Sequence, residues 1–185
     1  MKLFFCIPLF LLPIFMQGQV RLFSKSAKIS FFSSAPLEDI EARNNNVVTA
    51  WDVSTGQLEF SLLIRGFEFK KALMQQHFNE NYMESDKYPK AIFKGRIIES
   101  NTIPLQKEGD YIITVNGDIT IHGITRTISF PAAILVKDKI ISAKAEFTVA
   151  PADFNIEIPG IVADNISKQI KIKVYVPDYK SFPGR

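Results

Sequence analysis

Cysteine is almost absent from this chain. The single one, Cys6, lies inside an apolar N-terminal run. Once that run is removed, no disulfide, thiolate metal site or cysteine nucleophile remains possible, and stability has to come from packing. Histidine is nearly as scarce, with His77 and His122 standing 45 positions apart. Neither belongs to an HExxH or cysteine-bearing pattern, so no metal site is expected; they read as a helix-packing residue and a hairpin residue. Gly-x-Ser-x-Gly, Walker and GxGxxG patterns are all missing, which removes the usual scaffolds for acyl transfer and nucleotide binding. A strong charge of one sign is also lacking. The net charge of +3 falls to +2 without Lys2, too little for the basic stripe of a nucleic-acid binder or for electrostatic membrane attachment. Glu80, Glu84 and Asp86 crowd one polar segment instead of facing each other across a cleft as glycosidase carboxylates do, and they read as solvated. No catalytic residue and no cofactor are expected, and the chain is not expected to be an enzyme.

What is present begins with a leader. Met1-Lys2 is a short positive region, and residues 3–15 are almost wholly apolar. That run is shorter than the roughly 20 residues a membrane-spanning helix needs, and Pro8 and Pro13 interrupt it. Residues 1–18 therefore read as a signal peptide cut after Gly18. The expectation is a periplasmic or secreted protein with no stable membrane anchor.

Beyond the leader, period-two alternation dominates. In residues 58–64 the even positions are Leu58, Phe60, Leu62 and Ile64. In residues 111–121 the odd positions are Tyr111, Ile113, Val115, Gly117, Ile119 and Ile121. Residues 141–149 and 166–176 repeat the pattern, and weaker strands are expected at 20–24, 28–33, 47–52, 91–99 and 124–136. Turns are expected at Asn44-Asn45-Asn46, Ser54-Thr55-Gly56, Lys107-Glu108-Gly109-Asp110, His122-Gly123 and Lys137-Asp138-Lys139. Residues 71–85 contain no β-branched residue, and their apolar positions recur at roughly helical spacing, so one short helix is expected there. Residues 178–185 read as a flexible C-terminal tail. Eight or so antiparallel strands with one apolar face each form a sandwich or a barrel.

Phe supplies 16 of the aromatic side chains, against 5 Tyr and 1 Trp. These rings have no polar handle and need an apolar home, in a packed core or around a ligand. An eight-stranded barrel is just wide enough for either arrangement. A filled barrel would act through its surface, as a structural or stress-related envelope protein without lipid.

Two stretches carry a resemblance. Residues 77–95, HFNENYMESDKYPKAIFKG, place Phe78, Tyr88, Pro89 and Phe93 in the order found in YceI-like proteins. Residues 117–128, GDITIHGITRTI, resemble that family's strand-turn-strand signature through Ile119, Thr120, Ile121, His122, Gly123, Ile124, Thr125 and Arg126. The likeness runs from about residue 20 to residue 176, so residues 19–177 are identified as a YceI-like domain. Two family features are missing: the histidine expected near residues 29–36, and the Arg and Gly that usually flank Asp-Phe near Asp153 and Phe154. The resemblance implies an all-β, extended, antiparallel eight-stranded β-barrel like that of lipocalins, with one short helix. It also implies a periplasmic or secreted location, with a polyisoprenoid or similar long apolar lipid lying along the axis. The chain is expected to be a monomer or homodimer, and its weak net charge gives no expectation of nucleic-acid binding. The side chains expected to line such a tube are Leu58, Phe60, Leu62, Phe93, Ile113, Val115, Ile119, Phe130, Phe147, Ile170, Ile172 and Val174. Arg126 shares the parity of Ile124, Ile128 and Phe130; it either turns outward or reaches the barrel mouth, where it could pair with a phosphate head group.

Overall fold

A computed structural model describes residues 20–182. The expected leader, with Lys2 and Cys6, and residues 183–185 lie outside the described residues. The strands are β1 (Arg21–Ser34), β2 (Asp39–Asp52), β3 (Gln57–Leu63), β4 (Glu68–Phe69), β5 (Lys90–Ile97), β6 (Gly109–Ile121), β7 (Ile124–Lys137), β8 (Ile140–Val149) and β9 (Ile170–Ser181). A short helix, α1 (Ala72–His77), continues into a wide turn at Phe78–Tyr82. The sheet runs β1-β9-β8-β7-β6-β5-β3-β2, and the pairing of β1 with β2 closes it. Every pairing is antiparallel. Eight strands thus form a closed barrel with no free edge, and the two-residue β4 is an addition to β2. This is the expected architecture, helix included.

Alternation explains the closure. On β6, Ile113, Val115 and Ile119 are buried, while Ile112, Thr114, Asn116 and Asp118 face solvent. Successive strand side chains point to opposite faces, so once one strand is set against the core, the hydrogen-bond register sets the next. Gly95 and Gly117 sit opposite each other in the β5–β6 pair. A Cβ at Gly95 would come within 2.5 Å of the Phe93 ring, so these glycines make room for that ring against the wall. The β6–β7 hairpin turns on His122 (φ 51°) and Gly123 (φ 74°), and the β7–β8 hairpin on Asp138 (φ 50°) and Lys139 (φ 63°). Both are tight turns with two left-handed residues, which match the twist of the flanking strands.

Four details differ from the sequence reading. Asn44-Asn45-Asn46 is not a turn: it lies inside β2, at a bulge where Ala27 pairs with Val47 and Ile29 with Asn44. The Asn44 side chain is fully buried, donates to the Leu63 carbonyl at 2.9 Å and accepts from the Asn46 N–H at 3.0 Å, which satisfies the backbone that the bulge releases. Residues 20–24 and 28–33 are one strand, β1, and not two, because bulges carry the chain past residues 25–27 without breaking the pairing. Residues 178–181 continue β9 instead of fraying. Pro177 sits where the register with β8 shifts, which lets proline enter a strand, and Asp178 is held by the Ser26 hydroxyl at 2.8 Å. Finally, β9 begins at Ile170 and not at 166; residues before it form a 3-10 turn, Gly160–Asn165, which leaves Ile166 at the barrel mouth.

Candidate ligand-binding cavity

The two ends of the barrel are built differently. At one end lie the N-terminus of β1, the C-terminus of β9 and the loops at residues 53–56, 98–108 and 138–139. This end is plugged. Trp51 is 1% exposed and stacks edge-on against Tyr179 at 5.8 Å between ring centres. Its indole N–H donates to the Ser100 hydroxyl at 3.1 Å, and that hydroxyl donates to the Val53 carbonyl at 2.7 Å. The Tyr179 hydroxyl meets Thr49 at 3.3 Å. Burial pushes this phenol up to about 12, since charge is disfavoured in a dry site. Leu22, Ile97, Ile103, Val136 and Val176 fill the remaining space.

At the other end, the segments at residues 64–89 and 150–169 leave the barrel wall and form a roof. From the first come Phe67, Phe69, Phe78, Tyr82 and Met83; from the second come Pro151, Phe154, Ile156, Ile158, Val162 and Ile166. Phe31, Phe67, Phe69 and Phe78 form one aromatic cluster, with ring centres 5.0 to 5.7 Å apart. The roof is tied to the rim at several points. Lys71 pairs with Glu38 at 2.6 Å, Leu37 N–H donates to the Asp164 carbonyl at 3.2 Å, and Ser167 N–H donates to the Ser33 hydroxyl at 2.8 Å.

Between plug and roof lies a cavity of about 530 Å³, with an almost wholly apolar lining. That size falls in the usual range for small-molecule sites. Many inward side chains here, among them Phe130 and Phe147, are only half-buried, because they face empty space and not a packed neighbour. Phe93, Phe130 and Phe147 form a row of rings along the wall, at 5.9 and 4.4 Å. Polar lining groups are few, and among them Glu38, Lys71, His77 and Asn165 stand at the roofed end.

The twelve apolar side chains expected to line the tube, from Leu58 to Val174, all do so. Arg126 does not. It pairs in register with the inward Ile119 but is exposed; three residues from the hairpin, its long side chain passes the rim into water. Sequence reading missed the floor, Trp51 and Tyr179, and the roof rings Phe67, Phe69, Phe78 and Phe154. The Phe excess was their signal: nine Phe residues line the cavity. The acids near the helix are not simply solvated, since Glu84 meets His122 and Asp86 pairs with Arg65. Among the described residues no group of three or more His, Cys, Asp or Glu side chains could hold a metal ion, and no helix is long and apolar enough to cross a membrane.

The family model of the YceI-like domain matches residues 21–177. Among solved structures, a polyisoprenoid-binding domain from Saccharophagus degradans superposes with a TM-score of 0.75 at 12% identity, covering 89% of this chain and 100% of that one. BcnA of Burkholderia cenocepacia gives 0.65 at 16% identity, over 80% and 94% of the two chains. A YceI protein of Campylobacter jejuni gives 0.55 at 14% identity, over 100% and 94%. No curated protein matches the chain significantly.

Proposed function

The chain belongs to the YceI-like family, and from that premise we propose that it is an exported carrier holding a polyisoprenoid or similar long apolar lipid inside its barrel. The observation that supports this reading is the apolar cavity of about 530 Å³, closed at one end by the Trp51–Tyr179 plug. A filled barrel acting through its surface would have no use for such a void, since interiors otherwise pack like organic crystals. A preformed tube gains roughly 2.5 kcal/mol for each 100 Å² of apolar surface taken from water, without first having to order itself. The lipid enters tail first. Its polar end stays among Glu38, Lys71, His77 and Asn165, polar lining groups at the roofed end. On this reading the protein binds its ligand and does not transform it. The apolar run at residues 3–15 supports export to the periplasm or beyond.

Native mass spectrometry of protein purified from its own host, followed by organic extraction, tests the reading. A retained mass matching a prenyl lipid is the expected result. An empty protein that also refuses added prenyl lipids sinks the carrier reading and leaves the surface-acting barrel. Ala132 lines the cavity opposite Ile113, so Ala132→Trp fills the tube with an indole and is expected to abolish uptake.

A further inference from the structure

His122 and Glu84 are brought together from opposite sides of the sequence, and the carrier reading uses neither. The His122 side chain is 10% exposed and sits on the β6–β7 hairpin in a left-handed conformation. Its Nε2 lies 2.9 Å from Glu84 Oε2, and its Nδ1 lies 3.1 Å from the Phe154 carbonyl oxygen. Tyr88 packs edge-on against the ring at 4.4 Å. Gly123 permits that approach, because a Cβ there would come 2.6 Å from the Tyr88 ring. One imidazole thus bridges the hairpin to both roof segments: Glu84 closes residues 64–89, and Phe154 lies in residues 150–169, with its own ring buried and lining the cavity.

Both partners are acceptors. A carbonyl oxygen never donates, and an ionised carboxylate only accepts. Both bonds therefore exist together only when both ring nitrogens carry a proton. A neutral imidazole has one N–H, and whichever nitrogen is bare faces an oxygen lone pair. The charge-assisted bond to the carboxylate is the stronger of the two, so the Phe154 carbonyl gives way. Other charged groups on these elements do not replace the bond. Lys87 lies 3.8 Å from the other Glu84 oxygen and 4.8 Å from the Tyr88 ring centre, while Asp153 and Arg126 are exposed and not bonded to the ring.

We propose that His122 is a proton-operated latch on the cavity roof: doubly protonated, it clamps both roof segments to the rim, and on losing a proton it frees residues 150–156 and opens the mouth. His122 acts here as a positioning residue, through Phe154 and Glu84.

The test is amide hydrogen exchange of the ligand-free protein at about pH 5 and about pH 8, either side of the range in which histidine titrates, corrected for the intrinsic pH dependence of exchange. The reporters are the amides of Asp153, Asn155 and Ile156, which close the turn onto Ala150, Ala152 and Pro151. Their protection is expected to fall roughly five- to tenfold at the higher pH, the equilibrium weight of one hydrogen bond, while that of β6 and β7 holds. Glu84→Gln separates a proton latch from a merely structural contact. Its carboxamide accepts from a protonated Nε2 and, once flipped, donates to a bare one, so the pH dependence is expected to vanish with the roof still closed. Wild-type protection that ignores pH overturns the latch, as does Glu84→Gln with the wild-type pH response. The exchange arm needs no ligand and so is independent of the carrier reading. A second arm rests on that reading: a fluorescent prenyl alcohol is expected to leave the wild type faster at the higher pH and the Glu84→Gln variant equally fast at both. A probe that fails to bind at all counts against the carrier, and the exchange result still decides the latch.

Discussion

The plugged end and the roofed end of the barrel share one wall yet are built on opposite rules. At the plug, side chains are almost wholly buried, as with Trp51 at 1% exposure and Val176 at 0%. Even their polar atoms are paired within the end itself, through Ser100, Val53 and Thr49. At the roof, bulky rings face a void, and the segments carrying them are tied down by ion pairs and single hydrogen bonds at the rim. Close packing resists change, whereas a few polar ties over an empty space can be released locally. On the carrier reading proposed above, the roofed end is the one through which a ligand would pass, and the plugged end holds the fold together.

The largest expected contrast is between two aromatic truncations. Trp51→Ala is expected to cost about 3–5 kcal/mol in denaturant unfolding, as large-to-small changes in packed cores do. Phe78→Ala, in the half-buried roof cluster, is expected to cost roughly 1–2 kcal/mol, since only the buried part of its ring surface is lost, while weakening lipid retention on the carrier reading. Equal costs would erase the distinction between the ends. A second effect tests the wall that joins them. Gly117→Ala drives a Cβ into Gly95 and the Phe93 ring, and overpacking of this kind typically costs about 1–3 kcal/mol. Full stability in this variant would mean that the β5 backbone at Lys94 and Gly95 can move away from β6, as well as the Phe93 ring swinging aside.

A smaller effect belongs to the loops of the plugged end. Asp52 Oδ1 accepts from the Ser54 hydroxyl at 2.6 Å and from the Ser54 and Thr55 N–H groups, both at 3.1 Å. The Ser54 bond, foremost, holds this carboxyl below its ordinary value. A lowered value means that the contribution is present above the ordinary carboxylate range and is lost as pH falls through the folded value. Asp52→Ala is expected to cost about 1 kcal/mol near neutrality and to flatten the acid limb of the stability curve. The smallest effect is alkaline. Tyr179 rises from 10.0 to about 12 on folding, so its contribution is complete below 10.0 and is lost as pH climbs through about 12. Thermal unfolding of Tyr179→Phe is expected to lack that slope, with nearly wild-type stability at neutral pH.

Much of this was legible in the chain itself. The strands at residues 111–121 and 141–149 alternate so regularly that their faces, and hence the tube-lining positions, could be assigned before any fold. The errors fell where a local signal met a tertiary constraint. Three consecutive asparagines read as a turn, yet Asn44 is buried because its amide reaches Leu63 on β3, 19 positions away. Residues 178–185 read as a flexible tail, yet a bulge at Pro177 and the Ser26–Asp178 bond carry β9 to Ser181. The roof rings were missed because residues 64–70 and 150–169 have no period that assigns a face, and the helical spacing of residues 71–85 does not say what that face covers. Their inward direction comes from what they cover.

The sequence by itself determined the strand faces, the all-β class and the helix near residue 72, because each rests on spacing along the chain, and spacing survives in one dimension; the family came from the likeness of residues 77–95 and 117–128 to known motifs. Only the tertiary structure decided which end is plugged, that the barrel is hollow, and that Glu84, His122 and Phe154 meet. Each of these depends on contacts between positions far apart in sequence, and on how much volume the inward side chains leave unfilled once the ring of strands has closed.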